Sequence, residues 1–289
     1  MASKPITTQD YHQRVNKVLN YIHTHLDEKL DINHLAGVSN FSPFHFHRIM
    51  RAHLNESLMA YVIRLRLDHA AMLILNTGFS VSDIAYKVGY DVPSSFNKAF
   101  KKRFTVAPTE YAEKYQDVYG INYLKQSNKM KTMDLKPKIK EISPVNVIYV
   151  NSIGAYEDKG TEDAWNKVCQ FAEEKKLFGR HTAFIGISHD DPKITEAEKL
   201  RYDACVVVGK EVSPHGEVGV KTIEGGKYAI FLHKGPYENF QHTYDYIYGS
   251  WLPESNEELR ELSCFEKYLN TPEKTKAENL KTEIYIPLK

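Results

Sequence analysis

Cysteine is scarce in this chain: three among 289 residues, widely spaced at Cys169, Cys205 and Cys264. An odd number at such separations makes neither a disulfide framework nor a zinc-ligand pattern, and it suits a reducing cytoplasm. No apolar run approaches the length of a membrane span, and no signal-peptide pattern opens the chain, so no membrane partner is expected. An excess of either charge is also lacking, since 38 Lys+Arg stand against 37 Asp+Glu. That balance conceals a division. Residues 1–125 carry 15 Lys+Arg against 11 Asp+Glu, residues 126–140 five against one, and residues 141–289 18 against 25. A basic front and an acidic back fit a part that meets phosphates joined to a part that avoids them. The length allows two domains with proper cores, and 42% hydrophobic with 26% charged residues is a globular composition.

What is present is repetition. Leu35-Ala36-Gly37-Val38-Ser39 followed by Ser42-Pro43-Phe44-His45-Phe46-His47-Arg48-Ile49-Met50-Arg51 has the pattern of a helix-turn-helix. It recurs as Ile84-Ala85-Tyr86-Lys87-Val88-Gly89-Tyr90 followed by Ser94-Ser95-Phe96-Asn97-Lys98-Ala99-Phe100-Lys101. One extra residue in the second turn accounts for the small change of spacing. A helix over Tyr11–Leu26 with Thr8 as cap, a short helix capped by Asp31 and a third capped by Ser42 complete the first unit. A long amphipathic connector from about Ser57 to Asn76 follows; Ser80 or Ser82 then starts the second scaffold helix and Ser94 the second reader. Such a connector spans roughly 27–30 Å, against about 34–36 Å between successive major grooves. One polypeptide could therefore grip two adjacent major grooves of double-stranded DNA without a dimer.

These residues, with Arg64-Leu65-Arg66 on the connector and Phe104, Pro108 and Tyr111 beyond the second reader, closely resemble the AraC-type (AraC/XylS) DNA-binding domain over about residues 8–116. The resemblance implies that Phe44, His47 and Arg48 face the duplex from the first reader, and the duplicated motif adds Arg51, which alone would read as a solvated surface charge. Ser94, Ser95, Asn97 and Lys98 face the duplex from the second. Arg48 is the preferred base contact, because arginine is the commonest bidentate reader of guanine. Lys101, Lys102 and Arg103 are expected on phosphates or on nothing. Asn55 and Thr105 depart from the family, standing where glycine is usual. Asn tolerates a left-handed backbone better than Thr, so a changed last turn is expected at Thr105. The pairs His23-x-His25 and His45-x-His47 could suggest a metal, but residues two apart on a helix point away from each other. No metal and no cofactor is expected.

Residues 117–137 lose periodicity and read as a lysine-rich linker, with some helical extension from Tyr115 to Lys125. The remainder, 138–289, repeats again. At a shift of 81, Gly154-Ala155-Tyr156-Glu157 falls on Gly235-Pro236-Tyr237-Glu238, each after an apolar strand and before a helical stretch. The expected fold is two domains: an all-α double helix-turn-helix, then an α+β domain of two pseudo-symmetric β-α-β-β units sharing one antiparallel sheet, with a cleft between halves. The same shift matches Ile185 and Ile187 with Glu266 and Tyr268, so a carboxylate replaces an aliphatic residue. Aromatic residues are dense around it in sequence, among them Tyr149, Tyr156, Tyr237, Trp251 and Tyr268. A desolvated carboxylate with aromatic walls suits a lipophilic cation. Glu266 paired to a surface lysine, among ordinary core tyrosines, would look the same.

The elements Leu200-Arg201-Tyr202-Asp203-Ala204-Cys205, Gly235-Pro236-Tyr237, Trp251-Leu252-Pro253, Phe265-Glu266-Lys267-Tyr268 and Glu283-Ile284-Tyr285-Ile286-Pro287 resemble the GyrI-like small-molecule-binding domain. That resemblance implies Glu266 in the ligand cleft. The whole is read as a cytoplasmic, non-enzymatic transcription regulator answering to a hydrophobic or cationic effector, with RNA polymerase as a possible partner. Two alternatives stay open: a GyrI-like hydrolase tethered to DNA, and a constitutive DNA binder whose back half recruits a protein.

Overall fold

The computed structural model describes residues 8–116 and 135–289, which form two compact units, one helical and one built on a sheet. The expected linker and most of the helical extension beyond Tyr115 lie outside the described residues.

The helical unit runs α1 (Thr8–Thr24), α2 (Ile32–Val38), α3 (Pro43–Leu54), α4 (Leu58–Asn76), α5 (Val81–Lys87), α6 (Pro93–Phe104) and α7 (Pro108–Gln116). Its caps follow side-chain chemistry. Asp31 accepts from the His34 amide, Ser57 from Ala60 and Ser80 from Asp83, each satisfying a donor the helix start leaves free. Two boundaries, at Thr8 and Ser94, differ from expectation, and one expected cap lacks its side-chain bond. Thr8 is already helical. Ser42 is the N-cap of α3 without a side-chain bond. Ser94 lies inside the first turn of α6, because Pro93 supplies a preset φ at the first helical position and Val92 becomes the cap.

The connector α4 is not a simple amphipathic helix. Leu58, Tyr61, Val62, Leu65, Leu67, Ala70, Ala71 and Leu73 are buried, and with them Arg64 and Asp68. The helix is enclosed because α3, α5, α6 and α7 all pack on it. Its buried charges are paired. Glu56 accepts from Arg64 at 2.8 Å, Arg64 lies 4.0 Å from Asp68, and Asp68 accepts from Arg103 at 2.6 Å. Arg66 donates to three carbonyls, Leu26 and Glu28 beyond α1 and Gly89 in the second turn, at 2.8, 2.6 and 2.8 Å. Gly89 must be glycine twice over: its φ is +80°, and a Cβ there would lie 2.7 Å from the Arg66 guanidinium.

The sheet unit has β1 (Lys138–Ile142), β2 (Val145–Ile153), α8 (Lys159–Glu174), β3 (Phe184–Ser188), β4 (Arg201–Val207), β5 (Gly219–Ile223), β6 (Gly226–Lys234), α9 (Phe240–Tyr246), a π-helical turn Ile247–Trp251, α10 (Leu252–Ser255), β7 (Phe265–Tyr268) and β8 (Lys281–Pro287). All eight strands join one antiparallel sheet in the order β1-β6-β8-β7-β3-β4-β2-β5. Each half therefore has one strand more than expected. A shift of 81 carries Lys138 onto Gly219 and Val145 onto Gly226, so β1 repeats as β5 and β2 as β6. The two added strands are exchanged, β1 pairing with β6 and β5 with β2.

Past the helices the shift becomes 80. Arg201 falls on Lys281, and the single 3₁₀ turns Ala197–Lys199 and Ala277–Asn279 coincide. The mate of Glu266 is thus Gly186, not Ile185. Glu266 pairs directly with Gly186, whereas Ile185 packs with Tyr149, Cys205 and Phe265 on the opposite face. The correction has a physical basis, since one residue of slip moves a strand's side chains to the other face. One face of the sheet carries α8 over Ile148, Val150, Ala204 and Val206, and the π-helical turn over Phe231, Ile284 and Ile286.

Thr105 occupies the left-handed region itself, at φ +67°, so the expected change of geometry does not occur and the β-branched residue is strained instead. Thr105→Gly should stabilise the helical unit by about 1 kcal/mol, read as a raised thermal midpoint by circular dichroism at 222 nm. An unchanged or lowered midpoint would mean that Thr105 carries no strain.

Candidate functional site

Each reading helix divides into a buried and an exposed face. On α3, Phe46 and Met50 are 0% exposed and anchor the helix, leaving His45, His47, Arg48 and Arg51 on its outer side. On α6, Phe96 and Phe100 do the anchoring, and Ser94, Ser95, Asn97, Lys98, Lys101 and Lys102 are exposed. The Phe44 side chain lies outside the described residues. Arg103 was grouped with the phosphate-seeking residues, but its guanidinium is turned inward to Asp68. Both readers rest on α4, whose 19 residues span about 28 Å.

The second site is built at the junction of β3 and β7, where the two halves of the sheet meet. Glu266 is 2% exposed and points to the helix-covered face, together with Tyr268. Its Oε1 accepts a short hydrogen bond from the Tyr244 hydroxyl of α9, and Ser188 stands 3.5 Å away. Its Oε2 is buried and has no hydrogen-bond partner among the described residues. Burial pushes the carboxyl up to about 7, opposed by the bond from Tyr244. The surrounding hydroxyls of Tyr156, Tyr202, Tyr244, Tyr248 and Tyr268 are raised far beyond their ordinary value by burial and by the Glu266 carboxylate. They stay protonated and offer polar edges, not charge.

The ring positions form walls. Trp165 from α8 meets Tyr268 edge-on at 5.7 Å, and Tyr237 lies 5.2 Å from the same ring. Tyr156 is 6.0 Å from Tyr202, and its hydroxyl bonds the Asp190 carbonyl at 2.6 Å. Asp190 is fixed by a two-pronged pair with Arg201 at 2.7 and 2.9 Å. The Tyr202 and Tyr268 hydroxyls meet at 3.0 Å over Gly186. A Cβ at Gly186 would lie 2.7 Å from the Tyr268 hydroxyl and closer still to that of Tyr202. Glycine is required there by close approach.

Of the six residues expected at this cleft, Glu266, Tyr156, Tyr237 and Tyr268 are gathered together. Tyr149 is not. It lies on the opposite face, packed on Gly219 with Lys221 4.6 Å from its ring centre. Its strand position shares a face with Cys205 and Ile185, an alternation that Tyr156, beyond the strand end, does not obey. Trp251 shares the helix-covered side but packs 5.0 Å from Phe231. Tyr202, Tyr244 and Tyr248 belong to the cluster and were not among the six. Tyr244 and Tyr248 could have been found from their spacing of four, which puts both rings on one helical face.

The comparisons with known proteins follow this division. The GyrI-like small molecule binding domain matches residues 135–289. The chain belongs to the GyrI-like family. A helix-turn-helix domain matches residues 35–114. The HTH-type transcriptional regulator YbfP of Bacillus subtilis is 35% identical over 101 residues, 35% of this chain and 34% of that protein. The probable transcriptional regulator YgiV of Escherichia coli K12 is 35% identical over 106 residues, 36% of this chain and 66% of that one. The matched part thus spans about a third of YbfP and just under two thirds of YgiV. The right origin-binding protein of Escherichia coli K12 is 22% identical over 95% of this chain and 98% of its own length. Among solved structures, the EcmrR C-terminal domain covers 54% of this chain and 99% of its own, with 20% identity and a TM-score of 0.47. A helix-turn-helix domain is thus joined in one chain to a GyrI-like small molecule binding domain. Among the described residues no helix is long and apolar enough to cross a membrane.

The raised carboxyl has a measurable consequence. Folded Glu266 holds its proton more tightly than in the unfolded chain, whose ordinary value is 4.5. Its contribution to stability is complete below about pH 4.5 and is lost as pH rises through about 7, roughly 3 kcal/mol in all. Glu266→Gln should flatten that stretch of the curve. Urea unfolding followed by tryptophan fluorescence reports the sheet unit, since Trp165 and Trp251 both lie in it. Parallel curves for wild type and variant from pH 5 to 8 would show that the carboxyl is not raised.

Proposed function

We propose that this protein is a cytoplasmic transcription regulator whose action at DNA is set by a lipophilic monocation bound at Glu266. The observation that carries the reading is the buried, unpartnered Glu266 Oε2 beneath a ring of aromatic side chains. A carboxylate oxygen removed from water is costly unless a cation or donor meets it. The rings supply the remaining attraction through their negative faces, and the tyrosine hydroxyls supply dipoles. In the helical unit, Arg48 and Arg51 on α3, with Asn97 and Lys98 on α6, are the side chains we assign to the duplex. His47, Ser94 and Ser95 lie beside them, and the Phe44 position keeps its assignment from the family pattern alone.

An effector can shift such a regulator only by binding one of its states more tightly. Tyr244 offers a means, because its hydroxyl occupies Oε1 from a helix that continues into the π-helical turn Ile247–Trp251. A ligand at Oε2 acts on the same carboxylate as that helix does. The change would reach promoter DNA or RNA polymerase through the position of this segment.

Two measurements test the two halves of the reading. Calorimetry on the full chain should show Glu266→Gln costing a lipophilic cation about 2–5 kcal/mol while leaving its neutral isostere unchanged. Equal losses for both would remove the charge from recognition. On a duplex selected from a random library, Arg48→Ala should cost about 1–3 kcal/mol and relax preference at one base pair. A uniform loss on every sequence would reduce Arg48 to a phosphate contact.

A further inference from the structure

Thr282 on β8 is 0% exposed, and its hydroxyl has no hydrogen-bond partner among the described residues. Its two strand neighbours bond elsewhere. It pairs with Tyr268 on β7 and His233 on β6. The Tyr268 hydroxyl is engaged by Tyr202 at 3.0 Å. His233 spends one nitrogen on Thr243 at 2.7 Å and the other on the Pro236 carbonyl at 3.2 Å. The pairing to Tyr268 puts Thr282 on the same face as Glu266, whose own partner on β8 is Ile284. Two buried oxygens without partners therefore stand on one face as diagonal neighbours, about 7–8 Å apart at the backbone.

The pseudo-symmetry sharpens the point. The mate of Thr282 is Tyr202, whose long side chain fills its half and ties its hydroxyl to Tyr268. Threonine at the same place keeps a hydroxyl but gives up the ring. Nothing about packing calls for that hydroxyl, since valine has the same shape.

We infer that Thr282 is a second polar contact for the effector, taking a neutral hydrogen-bonding group held across the sheet from the cationic centre. The inference rests on the reading of Glu266 as the cation site. It narrows the effector class to lipophilic monocations that carry an oxygen or nitrogen at that separation from the charge. A hydroxyl can donate or accept, so either an alcohol or a carbonyl would serve.

The test uses the full chain and two probes, benzyltrimethylammonium and its para-hydroxymethyl derivative, titrated by calorimetry into wild type, Thr282→Val and Glu266→Gln. Wild type should bind the hydroxymethyl probe about fivefold more tightly than the parent. Thr282→Val should erase that preference and leave the parent's affinity unchanged. Its unliganded thermal midpoint should be equal or higher, because an unsatisfied hydroxyl has been replaced by an isosteric methyl. A preference that is absent in wild type, or survives in Thr282→Val, overturns the inference while the Glu266 site stands. A lowered unliganded midpoint means the hydroxyl is already satisfied inside the protein, and overturns it too. If wild type binds neither probe, or if Glu266→Gln binds both as wild type does, the cation site itself fails and the inference falls with it.

Discussion

The direct pairing of Glu266 with Gly186 is the constraint on which the sheet unit turns. At the middle of the sheet β3 meets β7 over three residue pairs, this one among them, while the exchanged β1 and β5 bind the halves at the edges. Gly186 has no side chain because the Tyr202 and Tyr268 hydroxyls occupy the space where one would be. Those hydroxyls, in turn, are brought together by the strands on either side. Gly186, Glu266, Tyr202 and Tyr268 thus share one small region that joins the strands, roofs the glycine with phenols and buries a carboxylate. A change at Gly186 would act on all of these at once.

The helical unit is organised around ions instead. Arg66 saturates carbonyls from the end of α1 and from the turn between α5 and α6, so one guanidinium ties both helix-turn-helix units to the connector. A planar fork with donors at fixed angles can do this, and an ammonium cannot. The line Glu56, Arg64, Asp68 and Arg103 then runs from the turn after α3 to the far end of α6. Buried pairs of this kind contribute little net stability, since desolvation offsets most of the attraction. They do penalise any packing in which a partner is lost. A fixed separation between readers is the property such a line would protect.

Much of this was legible in the sequence, for reasons that differ by element. The helix-turn-helix units announced themselves because a short helix, a tight turn and a capped second helix each leave a local signature. Asp31 was found as a cap from residue type alone, and Ser57 and Ser80, read as helix starts with Ser82 as the alternative to Ser80, prove to be caps. The six strands of the two expected β-α-β-β units are all present, because their apolar runs recur with the repeat. The exchanged strands β1 and β5 were not expected: Lys138–Ile142 is exposed over most of its length and shows no apolar face to read. The slip from 81 to 80 was hidden as well, because a repeat aligned at its Gly-x-Tyr turns says nothing about a residue lost further on. That one slip matched Glu266 with the wrong mate. Similarly, Arg103 was expected on phosphates or on nothing, since composition does not distinguish a solvated arginine from one paired inside.

Why the carboxylate occurs once follows from the same symmetry. A two-fold sheet offers two equivalent positions at the junction, 186 and 266, and they face each other. Directly paired side chains have Cβ atoms about 4.5–5.5 Å apart. Two glutamates there would crowd like charges in a dry setting, and one would hold its proton well above the ordinary range. Glycine opposite glutamate avoids that and leaves a single formal charge beneath the rings. The asymmetry extends outward, with Tyr202 in one half standing where Thr282 stands in the other. The proposed monocation rests on this one carboxylate at the strand junction, since Asp190 nearby is already paired with Arg201.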